Sequence, residues 1–153
     1  DMNPSNISDQ NMNGLLNAYK NLTTFDEKTF WTSGQWMTER GGGSDVTQNG
    51  TNTIAKQQAM NSDNYRLWGY KWFSSATDAN MSITVARIED YNDDKVEKGN
   101  KGVSCFYIPN VSTNNVEIVQ LKDKLGTRQL PTGELQLKGT KGVLLSKKGK
   151  GIQ

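Results

Sequence analysis

The chain has 153 residues, with 18 Lys+Arg against 16 Asp+Glu, no His and a formal net charge of +2. That balance gives no reason to expect binding to a phosphate backbone, which draws on a concentrated basic surface. The missing imidazole excludes Ser-His-Asp and Cys-His machinery within this segment, and a single Cys105 excludes an internal disulfide framework or a thiolate metal cluster. No apolar run approaches the roughly 20 residues needed to span a bilayer, and no secretory signal opens the chain. Apolar residues make up 33%, below the roughly 45–50% of typical domains, a figure that includes Gly. The expected core is therefore thin and in need of neighbours. A start at Asp1 and a Gly-Lys-Gly-Ile-Gln finish lead us to expect a piece of a longer protein.

Residues 1–10 are polar and without period. Met12, Leu15, Leu16, Tyr19 and Leu22 follow the spacing of an amphipathic helix, capped by Ser8 or Asp9 and ended by Asn21 and two threonines. After Trp31 the period becomes two. Expected strands cover residues 53–57, 65–68, 71–73 (beyond a bend or close backbone approach at Gly69), 81–86, 103–108, 116–121, 135–137 and 143–145. Turn-rich stretches 61–64, 90–101 and 109–115 separate them, and the charged 90–101 stretch reads as an exposed hairpin loop. Short strands without helices between them argue for a mainly β fold, a barrel or sandwich, behind a short N-terminal helical segment.

The densest chemical feature is Met37-Thr38-Glu39-Arg40-Gly41-Gly42-Gly43-Ser44-Asp45-Val46. Three glycines let a backbone approach a ligand closely, and successive amides can form an anion nest. Ser44 adds a hydroxyl and Arg40 a charge, which suits a pyrophosphate. A plain flexible hairpin explains the same residues, since neither a Walker nor a G-x-G-x-x-G spacing is present. The second feature is Trp68, Tyr70, Trp72 and Phe73, followed by Ser74 and Ser75. Alternation sends Trp68, Tyr70 and Trp72 one way and Phe73 the other, unless Gly69 shifts the register. These aromatics fill a core and cover an interface, or else they wall a site for a planar polar ring. The lysines at 138, 141, 147, 148 and 150 form a solvated face or meet an acidic partner, such as a nucleotide phosphate or DNA.

Together these stretches resemble the middle β-domain of the flavin-dependent acyl-CoA dehydrogenases, in wording its AidB-like branch. The family's M-T-E-x-x-x-G-S-D stands as Met37 to Asp45, and its G-x-K-x-[WF]-x-[ST] as Gly69-Tyr70-Lys71-Trp72-Phe73-Ser74-Ser75. Ala86-Arg87 followed by Gly102-Val103-Ser104-Cys105-Phe106-Tyr107-Ile108-Pro109 is a third match. Lys124-Leu125-Gly126-Thr127-Arg128 with Thr132 is a fourth. All four occur in family order across residues 34–153. Departures are Phe73 for the common Trp, Ser75 for the common Thr, Arg40 for the usual Pro, and a late strand at 137–143 without the family's Asp and Pro.

The resemblance implies a division into residues 1–33, the helical end of an N-terminal domain; 34–147, a β-barrel flavin-binding middle domain; and 148–153, a linker toward a C-terminal helical domain. It implies FAD as cofactor. Met37 and Thr38 would meet the pyrimidine edge of the flavin, and Gly43 and Ser44 the pyrophosphate. Phe73 and Ser74 would lie beside the ring, with Ser75 at N5. Ser44 and Thr132 would contact the acyl-CoA substrate. The implied reaction is α,β-dehydrogenation of an acyl-CoA to trans-2-enoyl-CoA. Its Glu base would lie outside this chain, which holds no catalytic residue and would be inactive alone. Electron-transferring flavoprotein or oxygen would take the electrons in a homo-oligomeric, commonly tetrameric, intracellular protein with no membrane or nucleic-acid partner. Whether it is mitochondrial, peroxisomal or cytoplasmic stays open. Two other readings remain: an AidB-like flavoprotein acting in the DNA alkylation response through nucleic-acid binding, and a cofactor-free β-barrel interaction module.

Overall fold

A computed structural model describes residues 7–43, 45–46, 50–89, 91 and 95–152. Helix α1 runs Asp9–Leu22, and the Ser8 hydroxyl caps it by accepting from the Asn11 amide at 3.4 Å. Asp9 in the first turn and Lys20 in the last complement the helix dipole. The inward stripe is Leu15, Ala18 and Leu22, packed with Trp31, Met81, Ile83, Tyr107, Val143 and Leu145. Leu16 and Tyr19, expected on that stripe, face outward instead.

Seven strands follow: β1 Ser33–Trp36, β2 Ile54–Gln57, β3 Asn64–Ser75, β4 Met81–Glu89, β5 Val103–Ile108, β6 Val116–Leu121 and β7 Thr132–Leu144. The pairings β4–β2–β3–β7–β5 return to β4, closing a ring. Closure of this kind removes most exposed edges, and it agrees with the expected mainly β barrel. Two pairings are parallel, because β1 lies along the first half of β4 and β2 along its end. The remaining pairs are antiparallel.

β6 and β5 share one edge of β7, with β6 on Gly133–Leu137 and β5 on Val143 and Leu144. The gap between them is spliced by two asparagines. The Asn114 side chain donates to the carbonyls of Pro109 and Lys141 at 2.8 and 2.9 Å and accepts from the Lys141 amide at 2.8 Å. The Asn115 carbonyl accepts from the Lys138 amide and the Thr140 hydroxyl. Backbone groups left without a strand partner thus still find hydrogen bonds.

The ring encloses Trp36, Ala55, Tyr65, Leu67, Ala86, Phe106, Ile108, Leu135 and Leu137. Tyr65 meets Phe106 edge-on, with centroids 5.2 Å apart. The separate strands expected at 65–68 and 71–73 are one strand, β3, and those at 135–137 and 143–145 merge into β7. Gly69 does mark a close approach, because a Cβ there would collide with Thr53. β3 does not keep simple alternation: its register against β7 shifts after Leu67 and again after Lys71. As a result Trp68 and Phe73 are both exposed, while Lys71 and Ser74 are buried. The aromatic run is therefore not core filling, and Lys71 takes the inward place. The loop expected at 90–101 falls in part outside the described residues; Glu89 bridges to Val96, and a 3₁₀ turn covers Asn100–Gly102.

Candidate functional site

The first two motifs lie side by side. Beyond β1, the Thr38 carbonyl accepts from the Trp72 amide at 2.9 Å, and the Trp36 indole N–H donates to the Ser75 carbonyl at 2.9 Å. A buried ion pair ties them again. Lys71 Nζ donates to Glu39 Oε1 at 2.7 Å and to the Val85 carbonyl at 2.9 Å. Glu39 also accepts from the Asn52 and Thr53 amides and from the Thr53 hydroxyl. Burial lowers the Lys71 pKa from its ordinary value, while the charge and hydrogen bond of Glu39 oppose that shift. A carboxylate with this many donors is a structural anchor, and it holds the glycine-rich turn against β3.

On β3 the register sets Ser75 opposite Thr132 and Ser74 opposite Gly133. Phe73 is 47% exposed and Ser75 is also exposed. Ser74 is fully buried, and its hydroxyl has no partner among the described residues. Thr132 is buried, and its hydroxyl accepts from Lys124 Nζ at 2.9 Å, which closes the fourth motif on itself, while the Ser75–Thr132 pairing sets it against the second. Met37 and Thr38 are half-buried. Gly43 is exposed, and a Cβ built on it would meet nothing within 4 Å. Ser44 lies outside the described residues. Ser75 and Thr132 thus meet across β3 and β7 with Phe73 and Ser74 next to them on β3, and Thr38 is bonded to β3 at Trp72.

A polar cluster that the sequence reading missed borders them. Glu134 Oε1 accepts from Lys122 Nζ at 2.7 Å, its Oε2 accepts from the Tyr70 hydroxyl, and Arg40 stands 3.6 Å from Oε2. Lys122 Nζ lies 3.2 Å from the centroid of the Trp72 ring, and Arg40 Cζ lies 4.7 Å from that ring and 4.9 Å from that of Tyr70. The hydrogen bonds from Lys122 and then Tyr70 hold the Glu134 pKa below the usual carboxylate value, and the bond to Glu134 raises that of Tyr70. One sequence signal pointed toward the buried pair: a Lys between two aromatics on a strand faces opposite to them, and inward it needs a carboxylate. Among the described residues no three or more Cys, Asp or Glu gather as a metal site, and no helix is long and apolar enough to cross a membrane. An open polar hollow of about 790 Å³ lies elsewhere, lined by Ser8, Asp63, Tyr65, Ser146 and Lys147, and none of the motif residues reaches it.

Residues 34–140 match the family model described as acyl-CoA dehydrogenase, middle domain. The chain is 45% identical over 139 residues to acyl-CoA dehydrogenase family member 11 of Caenorhabditis elegans, covering 88% of this chain and 22% of that protein. It is 32% identical over 124 residues to AidB of Escherichia coli (strain K12), covering 78% of this chain and 20% of AidB. The chain therefore spans about a fifth of the length of these curated relatives. A crystal structure of Caenorhabditis elegans ACDH-11 in complex with C11-CoA superposes with a TM-score of 0.85 at 45% identity, over 91% of this chain and 23% of that one.

Proposed function

The chain belongs to the acyl-CoA dehydrogenase family as its middle domain, and on that footing we propose that its parent protein is an FAD-dependent dehydrogenase converting an acyl-CoA to the trans-2-enoyl-CoA. The observation that carries this reading is the bond from the Trp72 amide to the Thr38 carbonyl, which sets the first motif against the strand that carries exposed Phe73 and Ser75. Phe73 and Ser75, two residues apart and both exposed on β3, present apolar surface and a hydroxyl to a flat ring. Open space at Gly43 leaves its backbone accessible to a phosphate. These features fit a flavin dinucleotide.

In this reading Met37 and Thr38 hold the pyrimidine edge of the flavin, Gly43 and Ser44 its pyrophosphate, and Phe73 and Ser74 the ring. Ser75 would reach N5 with its hydroxyl, and Ser44 and Thr132 would contact the acyl-CoA. FAD, when bound there, supplies the two-electron acceptor for the substrate's β-hydride. The α-proton goes to a carboxylate outside this chain, since Glu39 is committed to Lys71 and to three further donors. Electron-transferring flavoprotein or oxygen reoxidises the parent, which assembles with copies of itself inside the cell.

The test is the visible spectrum of the purified full-length protein, followed by anaerobic mixing with acyl-CoAs of graded chain length. Bound flavin that bleaches with an acyl-CoA is the expected result. No flavin even after FAD addition would sink the proposal. Flavin that resists every thioester, with salt-sensitive DNA binding, would favour an AidB-like role instead.

A further inference from the structure

We propose that Arg40, carried on the rings of Tyr70 and Trp72 beside Lys122, is a phosphate-recognition site for the nucleotide part of the ligand. The inference deepens the proposed function in naming the ligand's origin, but the anion site stands on its own geometry. Glu134 has its oxygens engaged by Lys122 and the Tyr70 hydroxyl. Arg40, at 3.6 Å, is beyond good hydrogen-bond distance of it. The cluster thus holds two cations against one carboxylate, an excess of one positive charge, and Arg40 is the more exposed of the two cations. The Arg40 side chain is 67% exposed, whereas that of Lys122 is 14% exposed.

A guanidinium is a planar fork that pairs bidentately with phosphate. Resting on two rings, at 4.9 and 4.7 Å, it is ordered before a ligand arrives, which lowers the entropy lost on binding. The turn that follows brings Gly42, whose amide bonds back to the Glu39 carbonyl, and then exposed Gly43. An anion at Arg40 therefore lies within a short chain length of accessible backbone. The shared chemistry, a phosphate or pyrophosphate, belongs to FAD and to coenzyme A alike.

The experiment uses the full-length protein and inorganic pyrophosphate, with binding followed by calorimetry for wild type, Arg40→Gln and Arg40→Lys. Arg40 is exposed, so matched melting temperatures serve as the folding control. Wild type should bind, Arg40→Gln should bind about tenfold or more weakly, as expected for loss of a charge-assisted contact, and Arg40→Lys should fall between. No binding by wild type, or equal binding by Arg40→Gln, overturns the site. Paired ligands then identify the source. A loss in Arg40→Gln seen with FAD but not riboflavin assigns the flavin's pyrophosphate, and a loss seen with coenzyme A but not pantetheine assigns the phosphates of coenzyme A. Unchanged affinity for both nucleotides overturns the inference. Pyrophosphate binding that depends on Arg40, in a protein that takes up neither FAD nor acyl-CoA, keeps the site and rejects the proposed function.

Discussion

Lys71 Nζ lies 2.7 Å from Glu39 Oε1, and both side chains are withdrawn from water. The pair joins two stretches 32 residues apart in sequence, each of which carries motif residues. Deleting one partner strands the other charge in a low-dielectric interior, at a cost of about 3–5 kcal/mol. Lys71→Met should therefore lower the denaturant midpoint far more than any surface substitution. Adding Glu39→Gln, which removes the stranded charge, should recover part of the loss, and a double-mutant cycle measures the coupling. A small effect of Lys71→Met would show that the pair does not anchor the turn.

Ser74 and Ser75 should separate cleanly. The buried Ser74 hydroxyl lacks a partner among the described residues, so Ser74→Ala removes an unsatisfied group and should leave apo stability unchanged or slightly higher. If the hydroxyl serves the flavin, the same change weakens FAD binding by several-fold. Ser75→Ala should slow substrate-driven flavin reduction while circular dichroism stays the same. Unaltered reduction kinetics would refute the N5 role.

Gly69→Ala should destabilise the fold by about 1–3 kcal/mol, the usual cost of overpacking. The added methyl meets the Thr53 side chain and also its Cα, 2.8 Å away. Shortening Thr53 to Ser should accordingly restore little, because backbone remains in the way. Thermal melts of the single and double variants decide this.

Glu134 gives a pH prediction. Its folded pKa is depressed by Lys122 and Tyr70, so its stabilisation is present above the ordinary carboxylate pKa and is lost as pH falls through the depressed value. Wild type should lose stability more steeply than Glu134→Gln below about pH 4. Parallel acid limbs for the two proteins would contradict the assignment.

Much of the strand set was legible because its stops are chemical. Pro109 ends β5, and Asn114-Asn115 precede β6, so both strands have the expected bounds. β3 and β7 read as broken because Gly69 and Gly139 interrupt their apolar patterns, yet each is held by pairing to the other, a long-range fact. Gly139 takes φ +75°, and its carbonyl accepts from Arg66 at 2.9 Å. β1 escaped notice as a defined strand because Trp36 is its one large apolar residue. The motif wording singled out Thr38, Phe73, Ser75 and Thr132 as candidates, and the pairing of β3 with β7 and with the first motif sets them near one another. The ion pair and the cation cluster stayed hidden, since their members join across four stretches of chain and depend on two register shifts between β3 and β7.

The Asn114 splice has a consequence for how copies of this domain meet one another. With its side-chain amide standing in for a missing strand, β7 offers no unpaired run to an incoming chain. The outer flank of β6, where Ile118, Val119 and Leu121 lie open to solvent, is instead the place for β-augmentation or aggregation to begin. Asn114→Ala would unmask a second such place midway along β7.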